Sequence, residues 1–315
     1  MFTAEVLSGA SQTWFISFWG LFITFPLYLA QVLFFWWLAL RLKKTTLSQL
    51  YVFGVIFGLY ESWITKVLWS GYFDLGHSLA GTFLGVSIAE FPVLVFFWHP
   101  LLSFMAPLLL FELLSGHIIM SHEKIFKKSI RKTSLIIIFL ICISTYIAYG
   151  NRFNLLSANF SVLGSLLLIW FLSRGITKVN LKIFDFRRGR FLIITSYLLV
   201  QYVGSFILLR QEYIPRTILP YISILAFYFM SILLLAKSKK SDLGFISANE
   251  NHYSGKDLVI FSFILLAAVN AACLMSNISA ILFIASYLVF MAIGTALFFT
   301  TVYKILRQNF SQGQE

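Results

Sequence analysis

The chain has 315 residues, of which 59% are hydrophobic, 18% aromatic and only 11% charged, with a formal net charge of +12. Soluble proteins carry roughly 25% charged residues, so there is too little polar surface here to cover a water-soluble sphere, and lipid must solvate much of the outside. The excess base would suggest nucleic acid in a soluble protein, but it lies in loops between apolar runs, which excludes a nucleic-acid surface and makes the lipid bilayer the expected partner.

Apolar runs of about 20 residues are long enough to cross a bilayer as helices. They predict an all-α fold, a polytopic transmembrane helical bundle of about 9 crossings plus one proline-broken or re-entrant segment. The first run, Trp14 to Leu40, is preceded by no Lys or Arg. The positive region that opens a signal peptide is therefore missing, and no cleavage is expected. The second run, Leu50 to Ser70, carries Glu61 near its middle and Lys66 five positions later. Five residues turn an ideal helix by about 140° out of phase, so each charge is expected to find its partner on another segment.

The stretch from Leu79 to Met120 is too long for one span and awkward for two, because as a helix it would measure about 63 Å against a hydrocarbon core of about 30 Å. Three of the six prolines fall here, Pro92, Pro100 and Pro107. Each removes a backbone donor and crowds the preceding turn. The expectation is a partial or re-entrant element followed by one true span. Unwound backbone of that kind is tolerated at membrane depth only where protein or a wet cavity surrounds it.

Six further spans are predicted, near Ser134 to Tyr149, Phe160 to Ser173, Phe191 to Leu209, Thr217 to Ala236, Leu258 to Ser276 and Ile278 to Val302. Cys142 and Cys273 both fall inside them as small apolar packing residues, so no disulfide framework is expected. Lys237 to Lys256, the longest loop, reads as a polar linker. Of the 24 basic residues, 20 fall in alternate loops on one side, while Arg152, Arg210 and Arg216 fall on the other and Lys66 lies within a span. Basic loops face the cytoplasm, so the N-terminus is expected outside and the C-terminus inside, in an integral membrane protein of the prokaryotic cytoplasmic membrane.

Embedded charge divides the chain. Residues 133–315 read as a six-span packing region with no ionisable residue inside a predicted span, whereas 1–132 carries Glu61, Lys66, Glu90, His99 and Glu112. A charge at the bilayer centre costs at least about 2.5 to 3.5 kcal/mol on insertion scales, so such groups face a partner, a cavity or a pathway. Glu61, Glu90, His99 and Glu112 are the candidate catalytic residues. Two carboxylates and an imidazole suit either a divalent metal or acid and base work, but the spacing matches no ligand motif, and no metal or cofactor is assigned. Asp74 and His77 read as outer loop residues, and His117, His122 and Glu123 as interfacial ones. The functional expectation is a membrane-embedded enzyme acting on a lipid-linked or peptide substrate. The alternatives are a proton- or cation-coupled transporter and a non-catalytic subunit of a membrane complex.

Overall fold

The computed structural model describes residues 1–72, 77–176 and 179–310, with side chains to Arg307; Asp74 and Lys178 lie outside the described residues. In chain order, α1 (Phe25–Leu42) extends a wider turn over Gly20–Thr24, α2 (Leu47–Thr65) follows, and a short α3 (Val67–Ser70) leads to the hairpin β1 (Thr82–Phe83) and β2 (Val86–Ser87). A wide π-type helix, Pro92–Met105, runs straight into α4 (Ala106–Ser115), and then come β3 (His117–Ile119) and α5 (Glu123–Phe126). The rest is α6 (Ile130–Gly150), α7 (Leu155–Ser173), α8 (Arg188–Leu208), α9 (Leu219–Lys237), β4 (Phe245–Ser247), α10 (Gly255–Leu274) and α11 (Ser276–Phe310).

Among the described residues, eight helices are long and apolar enough to cross a membrane, namely Gly20–Leu42, Pro92–Ser115, α6, α7, α8, α9, α10 and Ser276–Arg307. To these α2 adds a ninth helix of span length, with 19 residues. It carries Gln49, Glu61 and Ser62, and 13 of its residues are buried. It therefore has protein around it, whereas α8 has Leu198 alone buried. The basic clusters fall at alternate ends of these nine helices in chain order, as the charge count requires.

The proline-rich stretch departs from expectation in form. One continuous 24-residue helix, Pro92–Ser115, makes the span, and what precedes it is the β1–β2 hairpin rather than a re-entrant helix. Pro92 stands in the first turn, where its missing N–H would have had no helical acceptor. Pro100 sits inside the π-type segment, whose wider turn admits the ring without a break.

The chain forms two compact units, each assembled from separate stretches. Unit 1 comprises Met1–Tyr28, Ala106–Ile183 and Leu243–Leu288. Its centre is α10 packed on α6 and α7. The N-terminal segment is fastened to this core where Gln12 donates to the Gly150 carbonyl, Ser161 donates to the Gln12 carbonyl at 2.6 Å, and Trp14 donates to Ser165 Oγ at 3.1 Å. Below the helices, β3 and β4 pair antiparallel with His117 opposite Ser247 and Ile119 opposite Phe245. Part of the expected linker is thus a strand.

Unit 2 comprises Leu29–Met105, Phe184–Asp242 and Val289–Glu315. Its core is α2 laid along Pro92–Met105, with α8 and α9 packed on α2. The first two elements approach closely because α2 offers glycines there. A Cβ at Gly54 would lie 2.5 Å from Pro100 Cα, and one at Gly58 would lie 3.1 Å from Val95 Cα and 3.2 Å from His99 Cβ. Tyr51 secures the same seam, donating to the Phe96 carbonyl at 2.6 Å. The units divide the chain by contact, while the 1–132 and 133–315 regions divide it by embedded charge. Each unit draws on both regions.

Candidate functional site

Glu61, Glu90 and His99 belong to unit 2, and Glu112 belongs to unit 1. All four are buried, at 7%, 0%, 7% and 0% exposure, and each has its own local setting.

Glu90 stands where the hairpin meets the long helix. Its two carboxylate oxygens accept from the Leu79 N–H at 2.9 Å and the Ser78 hydroxyl at 3.1 Å, so it binds the loop back on itself. Glu112, on α4, does the same for the chain leaving that helix. One oxygen accepts from the Ile119 N–H at 2.8 Å and the other is 2.8 Å from His122 Nδ1. His122 is itself fully buried, packed within the protein. The ten-residue separation is bridged by a turn at Gly116, whose φ of +72° suits glycine. His117 opens β3, half-buried, with Nδ1 on the Ser115 carbonyl.

His99 lies mid-helix, not at a helix end. Its Nδ1 is 3.2 Å from Ser103 Oγ and its ring lies 5.9 Å from that of Phe57 on α2. Glu61 sits one turn beyond Phe57 and accepts from the side-chain amide of Gln31, on α1, at 3.2 Å. Gln31 is wholly buried, yet its carbonyl oxygen Oε1 has no hydrogen-bond partner among the described residues, and the hydroxyl of buried Ser62 has none either.

Lys66 does not pair with Glu61. It ends α2 in the left-handed conformation, φ 58°, and its ammonium reaches the carbonyls of Leu209 and Ser205 at the end of α8. Arg210, also left-handed at φ 51°, returns the contact, donating to the Thr65 carbonyl at 3.2 Å and the Gly71 carbonyl at 3.3 Å. Each cation thus caps the other helix, where the negative end of the helix dipole and unbonded carbonyls attract it. This pairing gives Lys66 a structural role.

Sequence reasoning missed Gln31 and Ser62, neither of which carries a charge, and named His122 without pairing it with Glu112. It also passed over His252 of unit 1, 2% exposed, whose Nε2 stands 3.8 Å from Glu123. Among the described residues no three His, Cys, Asp or Glu side chains gather as a metal site.

The profile of a family described as an uncharacterized membrane protein family matches residues 1–310. The chain belongs to that family. The match takes in the Glu61 setting and the Glu112 setting alike. A protein of Archaeoglobus fulgidus, described as an uncharacterized protein, is 42% identical over 109 residues, which is 35% of this chain and 34% of that one. The chain thus matches about a third of that relative's length. No solved structure matches. The protein is a multi-pass integral membrane protein.

Proposed function

We propose that the Glu61 setting in unit 2 is the working site, an acid and base group held at membrane depth for chemistry on a lipid-linked or peptide substrate. The observation that supports this reading is the Gln31 carboxamide. Its nitrogen holds Glu61 while its buried oxygen is left without a partner among the described residues. Leaving a buried acceptor unpaired costs about 1 to 3 kcal/mol. A site kept at that cost suits a donor that arrives with the substrate, a hydroxyl or an amide N–H. Glu61, fixed beside that oxygen, then takes or gives the proton as a general base or acid. His99, set against the same helix at Gly58, is a second titratable group for the reaction. Glu90 and Glu112, with both oxygens engaged, act as anchors.

The archaeal relative and the one-sided base both favour the prokaryotic cytoplasmic membrane, with the C-terminus in the cytoplasm. The test is to reconstitute wild type, Glu61→Gln and Gln31→Leu in liposomes made from host membrane lipids and to follow the extract by mass spectrometry. A lipid-linked or peptide species altered by wild type and untouched by Glu61→Gln supports the enzyme. Proton flux into dye-loaded liposomes that depends on Glu61, with no altered species, replaces it with the transporter. Neither signal from a folded wild type overturns both and leaves the non-catalytic subunit.

A further inference from the structure

We propose that unit 1 binds one anionic phospholipid of the cytoplasmic leaflet along α7, with an acyl chain in the groove beside Gly164 and the headgroup at Arg174. The groove, of about 430 Å³, is lined by Phe15, Gly164, Leu167, Leu168, Trp170 and Phe171. Gly164 shapes its inner end, because the Phe15 ring occupies the space of a side chain there and a Cβ would lie 2.2 Å from Phe15 Cζ. Leu167, Trp170 and Phe171 are 61%, 54% and 65% exposed, so the face is open to lipid.

Two features select the occupant. The first is length. Ten residues separate Gly164 from Arg174, a rise of about 15 Å on a helix, which is half of a hydrocarbon core of about 30 Å. The groove therefore has the reach of one leaflet and one acyl chain. The second is charge. Arg174 follows the last residue of α7, with its guanidinium 3.8 Å from the Trp170 ring centroid. The segment it opens also carries Lys182, in the same unit, on the side that the base count assigns to the cytoplasm. Anionic headgroups are concentrated at that surface. A two-fold partner in the same bilayer would instead bring its own Arg174 to the same level, like charge against like.

The test is native mass spectrometry of the full chain, delipidated in detergent and offered phosphatidylglycerol or phosphatidylcholine. Wild type should retain one phosphatidylglycerol in preference to phosphatidylcholine by about fivefold, the weight one arginine carries at an anionic surface. Arg174→Gln should abolish the preference, and Leu167→Trp, which fills the groove from an exposed position, should abolish retention. Equal retention of the two lipids, a preference that survives Arg174→Gln, or a dimer mass in place of bound lipid would overturn the proposal.

Discussion

Glu112 in unit 1 and Glu61 in unit 2 are both acids buried in an apolar chain, and their neighbours treat them in opposite ways. Around Glu112 every arm of the network is used: one oxygen is held by a backbone N–H, the other by a buried imidazole. Around Glu61 the neighbour that holds it, Gln31, keeps a buried oxygen without a partner among the described residues. A fully satisfied buried network fixes a fold, and a partly satisfied one marks a place where structure alone does not explain the residues. Burial by itself therefore does not separate an anchor from a site. On the proposed reading, the hydrogen-bond census around the acid does.

The comparison breaks most visibly under Glu112→Ala. That change takes the acceptor from the buried Ile119 N–H and removes the hydrogen bond to His122, and it should cost about 2 to 4 kcal/mol in denaturant unfolding in detergent. A loss under about 1 kcal/mol would remove Glu112 from the class of anchors. Lys66→Met comes next. The Leu209 carbonyl loses its buried donor, and a loss of about 1 to 3 kcal/mol is expected, with Arg210→Met showing a similar effect because it caps the reciprocal end.

Around Glu61 the sign should reverse. Ser62→Ala removes a buried hydroxyl that has no partner among the described residues, so stability should stay level or rise by about 1 kcal/mol. A clear loss would mean that the hydroxyl is engaged in the fold.

The smallest effect belongs to pH at the foot of unit 1. The hydrogen bond from Lys127, 2.9 Å away, holds the Glu123 carboxyl below its ordinary value near 4.5. A carboxyl lowered in the folded state adds stability above its unfolded value, and that contribution is lost as pH falls through the folded one. Unfolding midpoints should be flat from neutral pH down to about 5 and drop below that, with a shallower drop in Lys127→Ala. The pair is exposed, so the change should be slight.

Much of this architecture was legible in the sequence, because a bilayer imposes a length that apolar runs of about 20 residues report directly. The 20 basic residues in alternate loops predict the sidedness. Pro92 and Pro100 misled, since proline signals a disturbed helix without saying whether the chain breaks or the turn widens. Lys66 could not be read, because its partner carbonyl belongs to a residue 143 positions away and backbone acceptors leave no trace in side-chain pattern. Glu112 and His122 could have been paired, being ten residues apart across a glycine turn. Gln31 and Ser62 were passed over because they carry no charge, though a neutral amide at membrane depth is itself a polar cost.

The most direct test compares Glu61→Gln with wild type on one host lipid extract, with the unfolding midpoint measured on the same samples. A midpoint within about 1 kcal/mol of wild type, together with a lipid-linked or peptide species that wild type alters and the variant does not, is the predicted result. An extract left identical by both proteins, with the variant as unstable as Glu112→Ala, would contradict it and make Glu61 a second anchor.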